Sequence, residues 1–591
     1  MSNRLTSCQS RGRPTNALDG YDKHPQGQRL CTERRPVVDP APHTWRRISA
    51  SEYAFCVLTD IADCDDSRLR ADICIIGAGA AGITLACELE QSKLSVVVLE
   101  GGGAEVEPAL QELNQCEIAG LFNGGSSAGR FRAFGGTTRR WAGQALPLSE
   151  MDFRPRDWVP YSGWPISRAE LEPYYIRAAA VLGIGAFMPP GSNGETSPLK
   201  YAPSFDSDLL VPFVSRFSPH PDLARKYGDV LTAASTIRVV LHATVTELLT
   251  DEAATCVVAA RGRSMSGRSI DVEANTFVVC AGGIETARLL LVSDRYADGG
   301  LGNDNDLVGR FFQDHPGLRV GAITPVSGRR VRSTFRPRRV RGIRYQPLFR
   351  ASDALQSAEK LLNVGGAVLF DTPERSYPIA AGKVLYRATR DRHFGTKERD
   401  AVRTVIRHPS PLLAASARHF ILRQPALDTS GPPYLVVAGE QTPNPESRIL
   451  LSPNRDILGV RQVVLDWRLT HMEITGWRRI AELAASELER LEFGRVDFSD
   501  FEIPDDPAEL SGYVVDANHH MGTARMASDR SDGVVDCDTR VFGTANLYLA
   551  SSAVFPTSGF SNPTLTIIAL AIRLADHLKA TTANMHGARP L

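Results

Sequence analysis

The sequence predicts an α/β fold, on three observations. A strand, a glycine turn, a helix and a second strand follow one another between Asp72 and Glu100. Farther along, short apolar runs suited to strands are mixed with longer amphipathic runs suited to helices. Finally, 591 residues with 43% hydrophobic and 23% charged content can bury a large core and are too apolar for a wholly disordered chain. At about 150 residues per domain, that length would suggest roughly four.

In chain order, residues 1–65 carry Arg, Pro, Gln, Gly and Ser with little periodicity and read as a disordered extension. They contain no apolar core of a secretory signal, and Arg34-Arg35 is not followed by an apolar stretch. Asp72–Ile76 reads as a buried strand, Gly77–Gly82 as the turn, Ile83–Gln91 as the helix and Ser95–Leu99 as the second strand, ending on Glu100. Val245–Thr250, Thr276–Cys280 and Leu547–Ala550 read as strands; Ile474–Leu491 and Pro563–Leu578 read as helices. Arg329–Arg344 holds eight arginines and reads as a solvated strand or loop face, with an anion site as the alternative.

Composition excludes several classes. The 67 basic side chains balance 67 acidic ones, so nothing draws the whole chain to nucleic acid or an anionic membrane. No run of about 18 apolar residues suggests a membrane span. The ten cysteines form no CxxC pair and no zinc-spaced cluster, so no metal site is expected, and their scatter suits a reduced compartment rather than a disulfide scaffold. A cytoplasmic protein is the expectation. Only eight of the basic residues are Lys, leaving 59 Arg, a bias without functional meaning here.

The turn Gly77-Ala78-Gly79-Ala80-Ala81-Gly82 has the spacing that binds a dinucleotide. The first glycine permits the tight turn, the second lets backbone approach a pyrophosphate, and the third lets helix and strand pack closely. Behind it, the helix start offers free N–H groups and a positive dipole end to phosphate. Glu100, 18 residues after Gly82, can accept from both ribose hydroxyls and disfavours a 2′-phosphate, so FAD or NAD fits better than NADP. A glycine turn without ligand is the plainer alternative.

Three further segments occur in order: Gly135-Gly136-Thr137-Thr138-Arg139-Arg140-Trp141-Ala142-Gly143, Asn518-His519-His520-Met521-Gly522-Thr523-Ala524-Arg525-Met526, and the run from Ser551 to Thr566. Together they resemble the glucose–methanol–choline (GMC) family of FAD-dependent oxidoreductases, from about Asp72 to Asp576. Asp152-Phe153, Gly163-Trp164-Pro165, Ala281–Thr286, Gly309-Arg310, Asp314-His315-Pro316 and Gln441–Pro445 fit the same pattern. The spread is most similar to the branch with pyranose oxidase, fructose dehydrogenase and bacterial sugar oxidases.

The resemblance implies a Rossmann-like FAD-binding domain from residues 66–150, 226–317 and 511–591. A sheet-based substrate domain, residues 151–225 and 318–510, would be inserted as a roof over the flavin. His519 takes the place of the family's catalytic base, a role that suits histidine's near-neutral pKa. Asn562 takes that of the second active-site residue, with an N-cap role as the plain alternative. His520 is expected to be packed or on the substrate side, and Gln441, which with Glu440 would open a substrate-domain strand, to meet the substrate. His315 is taken as structural.

Gly135, Gly136, Thr137, Trp141, Ala142 and Gly143 would run along the flavin ring, Val245 against adenine, and Ala281-Gly282 around the ADP moiety. Ser552, Pro563 and Thr564 would complete the cofactor site, with Pro563 at the first helical position, aiming the helix at the flavin's N1–C2=O edge. Some relatives attach FAD through a His where this chain has Arg140, so the resemblance implies non-covalent FAD. The expected reaction is oxidation of an alcohol, such as a secondary hydroxyl of a sugar or glycoside, passing electrons to O2 or another acceptor. A non-redox cyanohydrin lyase is the alternative; oligomeric state is unassigned.

Overall fold

The computed structural model describes residues 58–185, 203–371, 396–407, 431–499 and 503–587. Two eight-stranded sheets and a small three-stranded one organise them. The first sheet has the strand order Leu58–Asp60, Ile237–Leu241, Val96–Leu99, Arg68–Ile76 and Ser269–Val279, all parallel. Along one edge, the first half of Ser269–Val279 pairs antiparallel with Val257–Arg263, which pairs with Thr244–Thr250; its last residues pair parallel with Leu547–Leu549. Both faces of the parallel strands are covered, hence the continuous apolar runs Ile73–Ile76 and Val96–Leu99, all buried.

The helix Ala80–Leu89 lies between this sheet and the long helix Thr564–Gly587. Only a helix enclosed on both sides buries Ala81, Gly82, Ile83, Thr84, Leu85, Ala86 and Leu89 together. Truncating Leu85, which is fully enclosed, would cost about 2–5 kcal/mol.

The second sheet is antiparallel, in the order Gly494–Asp497, Gly317–Pro325, Pro433–Gly439, Val364–Phe370, Ile343–Ala351, Leu210–Phe217 and Gln144–Ala145, with Arg338–Val340 paired to Ile343–Ala351. Pro433–Gly439 alternates buried and half-buried residues as a one-faced sheet requires. The helix His471–Arg490 packs against it. A capping box starts that helix: the Thr470 backbone N–H donates to Glu473 Oε2 at 2.7 Å.

Several expectations are corrected. Residues 58–65 are not part of a disordered extension: Leu58–Asp60 joins the edge of the first sheet and Ile61 is fully buried in its core. Residues 1–57, Arg34-Arg35 included, lie outside the described residues. The arginine-rich segment begins as the helix Gly328–Phe335, with Val331 and Phe335 buried, and turns into strands only from Arg338. Arg residues every few positions around two apolar anchors make an amphipathic helix as readily as an exposed strand.

The segments assigned to the roof are also divided differently. Gln144–Ala145 belongs to the second sheet, whereas Arg448–Arg455 and Arg461–Asp466 form the three-stranded sheet with Cys116–Ile118. The helix Arg168–Leu182 packs on Thr564–Gly587, where Arg177 pairs with Asp576 at 2.5 Å and Tyr175 bonds Thr566 at 2.8 Å. Cys64, Cys74, Cys87, Cys116, Cys256 and Cys280 are free thiols, and Cys537 is disulfide-bonded. Among the described residues, no helix is long and apolar enough to cross a membrane and no cluster of metal-ligating side chains occurs.

Candidate active site

Register sets the position of the site. Ile76 pairs with both Leu99 and Val279, so three parallel strands end level. The residues that follow, Gly77, Glu100 and Cys280, open onto a cavity of about 960 Å³. Ligands of open parallel sheets occupy this edge.

One end of the cavity is formed by the glycine turn. Gly77 has φ 100°, and a Cβ there would stand 2.8 Å from the Cys280 carbonyl; at Gly82 it would stand 1.9 Å from the Gly77 carbonyl. A Cβ at Gly79 would meet nothing within 4 Å, so that residue presents bare backbone to the cavity. Ala80 and Ala81 follow on the wall, and no side chain caps the helix they begin. Its first N–H groups are therefore available to an anion.

Glu100 accepts the Ala78 N–H at 2.8 Å on one oxygen and the Gly102 N–H at 2.8 Å on the other. Burial pushes its pKa up to about 7, against those two donors and Arg132. Each carboxylate oxygen keeps a second lone pair for a donor arriving in the cavity.

Beside it is an ionic cluster absent from the sequence-based site. Glu285 meets Arg130 at 2.6 Å and Arg132 at 2.7 Å, with Arg288 at 3.5 Å; Arg288 also pairs with Asp456 at 2.7 Å. Burial alone would raise the Glu285 pKa, but Arg132, Arg288 and Arg130 outweigh it and hold the group far below the ordinary carboxylate range. Val245, Ala281 and Gly282 line the same region.

Along the middle, Gly136, Thr137, Arg140, Trp141 and Ala142 form the wall, with Trp141 anchored by its Nε1–H to the Pro221 carbonyl at 2.7 Å. Gly135 and Gly143 stand behind it, packed against Ala224 and Pro221, and Gly82 stands behind the turn; these three shape the backbone without lining the cavity.

The far end carries the histidines. Asn518, in the left-handed region at φ 59°, turns the chain into His519. His519 Nε2 lies 3.5 Å from Asn562 Nδ2, and its Nδ1 lies 2.9 Å from His315 Nδ1. Asp314 Oδ1 accepts the backbone N–H of His315 at 2.7 Å and of His519 at 3.0 Å, fixing both backbones to one carboxylate. His519, half-buried, lines the cavity, and burial pushes its pKa down to about 4. Burial and His519 together push His315 down to about 4, against the pull of Asp314. His520 also lines the cavity, stacked on Phe312, with its Nε2 unpaired; burial, Arg130 and His519 push it down to about 3. All three rings are neutral at neutral pH. Ser552, beside them, donates its hydroxyl to the His520 carbonyl at 2.6 Å.

Asn562, Pro563 and Thr564 line the cavity next to His519. The helix runs Thr564–Gly587, and its first bond is Ile567 N–H to the Pro563 carbonyl at 2.9 Å. Pro563 thus occupies the N-cap place, not the first helical position, and the N-cap reading of Asn562 falls away.

Gln441 is a second correction. It is fully buried off the cavity, accepting from Asp314 N–H at 2.9 Å and Trp467 Nε1–H at 2.9 Å while donating to the Phe312 and Arg468 carbonyls. Every polar atom is used, so none remains for a substrate. Glu440 is likewise buried, paired with Arg156, and both residues follow the strand Pro433–Gly439 rather than open one. His315 is the opposite case: taken as structural, it stands against His519. The Asp314-His315-Pro316 pattern was the available signal, but nothing local shows which ring it meets.

Comparison with known proteins agrees with this architecture. The family model described as GMC oxidoreductase matches residues 443–571. The fructose dehydrogenase large subunit of Gluconobacter japonicus is 25% identical, over 86% of this chain and 98% of its own length. Paromamine 6'-oxidase of Streptomyces fradiae is 26% identical, over 89% and 94%. Pyridoxine 4-oxidase from Mesorbium loti shares the fold at TM-score 0.52 and 18% identity, over 86% of this chain and 98% of its own. The chain is thus similar to these oxidoreductases over most of its length, and residues 443–571 carry the GMC oxidoreductase match.

Proposed function

We propose that this enzyme binds FAD without a covalent link and oxidises a hydroxyl group, a secondary one of a sugar or glycoside, with His519 as base. The observation that carries the reading is the pair at the cavity's far end: a neutral imidazole whose Nε2 faces the amide of Asn562 at 3.5 Å. Bare backbone at Gly79, the uncapped helix start and the acceptors of Glu100 fit a dinucleotide's pyrophosphate and ribose. When bound, FAD supplies an acceptor for the electron pair of a C–H bond.

The chain's own residues handle the proton. His519 Nε2 takes it from the substrate hydroxyl, and ring enclosure keeps that nitrogen unprotonated beforehand. Asn562 holds the hydroxyl oxygen by its amide, restricting the alcohol to one orientation. His520 lies within reach of the same space. Arg140 occupies the wall where a covalent histidine would stand, and a guanidinium forms no such bond; acid precipitation is expected to release the yellow flavin. The proposed division keeps 66–150, 226–317 and 511–591 with the cofactor, adds Leu58–Asp60 to them and gives Gln144–Ala145 and most of 151–225 and 318–510 to the roof.

Fructose, paromamine and C-glycoside substrates in the names of relatives support the sugar class; a C-glycoside 3-oxidase of Microbacterium trichothecenolyticum is 43% identical over 61 residues, 10% of this chain. The test is anaerobic mixing of the flavin-loaded enzyme with sugars, glycosides and simple alcohols. Loss of the flavin's visible band, abolished in His519→Ala, is the expected result, and admission of air then distinguishes oxygen from another acceptor. Turnover of a cyanohydrin with the band unchanged would overturn the reading in favour of a lyase.

A further inference from the structure

His315 has no role in the chemistry so far, yet its ring is the neighbour of His519 on the side away from the cavity. The two Nδ1 atoms are 2.9 Å apart and the rings meet edge to face, with centroids 5.0 Å apart and planes at 83°. Two facing ring nitrogens at hydrogen-bond distance hold one proton between them: two lone pairs would repel, and so would two N–H groups. One ring donates and the other accepts, and the choice fixes both tautomers.

The surroundings of His519 decide the direction. On the His519 side, Nε2 faces Asn562 Nδ2, a donor, so a lone pair belongs there and the ring's proton belongs on Nδ1. On the His315 side, Nε2 is buried with no hydrogen-bond partner among protein atoms. The Asn562 contact therefore points to His519 Nδ1–H donating to His315 Nδ1, which leaves the His315 proton on Nε2. Asp314 locks the arrangement by accepting both backbone N–H groups, while Asn123 Nδ2 donates to its other oxygen at 3.1 Å.

We propose that His315 is a positioning residue, which accepts the Nδ1 proton of His519 and thereby keeps the His519 Nε2 lone pair aimed into the cavity. This rests on the reading of His519 as base. In a free imidazole the proton can sit on either nitrogen, and a His519 protonated at Nε2 has no lone pair to offer a hydroxyl. The same contact serves after proton transfer: once Nε2 carries the substrate proton, Nδ1–H remains donated to His315, so the imidazolium is held by a hydrogen bond it already has.

The test reads the tautomer directly. Ring 15N NMR of the flavin-loaded protein, with His519 assigned by substitution, is expected to show Nδ1–H and a bare Nε2. In His315→Ala the ring should change to the Nε2–H form and kcat should fall by roughly 10- to 100-fold with KM little changed, the size of a partial loss of general-base catalysis. His315→Asn, whose side-chain oxygen can accept near the Nδ1 position, should restore both. An Nε2–H tautomer in the unsubstituted protein, or His315→Ala with unaltered tautomer and kcat, would overturn the proposal. If His315→Ala does not fold, the unsubstituted spectrum and His315→Asn still decide it. Undiminished activity in His519→Ala would defeat the base reading instead, leaving the tautomer result separate.

Discussion

The two ends of the cavity solve opposite electrostatic problems. At the glycine-turn end, charges are buried and matched: Glu285 meets three arginines, Arg288 has Asp456 as well, and both oxygens of Glu100 accept backbone N–H groups. At the histidine end, burial has removed charge: three rings are neutral, and Nε2 of His315 and of His520 have no protein partner. Paired charges make a rigid seat for a ligand that stays. Neutral rings with a spare lone pair make a place where a proton can arrive. On the proposed function, the first end binds and the second does the chemistry.

Removing the hub of the charged end should have the largest effect. Glu285→Ala leaves Arg130 and Arg132 buried without their carboxylate, and an uncompensated buried charge costs about 3–5 kcal/mol. Chemical denaturation is expected to show that loss, together with poor FAD retention. A loss below about 1 kcal/mol, the worth of a surface pair, would mean the cluster is solvated and the contrast between the ends is false.

Glu100 provides a finer test. Its pKa in the protein alone, about 7, lies above the ordinary 4.5, so the folded state holds the proton more tightly than the unfolded one. That group's contribution therefore worsens as pH rises from about 4.5 to about 7, reaching on the order of 3 kcal/mol. Ribose hydroxyls would donate to the ionised carboxylate, so FAD should raise Tm more at pH 8 than at pH 5. Glu100→Gln puts an amide N–H against either the Ala78 or the Gly102 N–H, leaving buried donors unpaired at about 1–3 kcal/mol. FAD should then bind roughly 10- to 100-fold more weakly, with the pH dependence gone. Equal Tm increments at both pH values would show that Glu100 does not meet the ribose.

What was legible in the sequence follows the same division. The turn from Gly77 to Gly82 and Glu100 could be read because a strand–turn–helix–strand unit carries its own geometry within about 30 residues. His519, His520 and Asn562 came through a resemblance between short segments. Partners far apart in the chain did not: Arg130 meets Glu285 across 155 positions, and His315 meets His519 across 204. Gln441 misled for the same reason, since a polar residue before Thr442-Pro443 looks available until Trp467 and Asp314 close on it. Leu58–Asp60 was missed because three residues are too few to show a period, and only pairing with Val239–Leu241 makes them a strand.

The smallest effect concerns pH at the histidine end. His519 is lowered from 6.5 to about 4 by burial, so above about pH 5 the ring is already the neutral base. Its neighbours do not reverse this: His315, His520 and Asn562 are uncharged, and the Asp314 carboxyl is itself raised by burial. With saturating substrate, kcat should stay level from about pH 5 to pH 8 and fall only as acid takes the ring through about 4. The sign is fixed by the proton's role, because a base loses activity on the acid side of its pKa. An acid limb centred near the ordinary histidine value would mean that water reaches His519 in the working enzyme. The histidine end would then be solvated in use, and the contrast with the charged end would hold for the empty cavity alone.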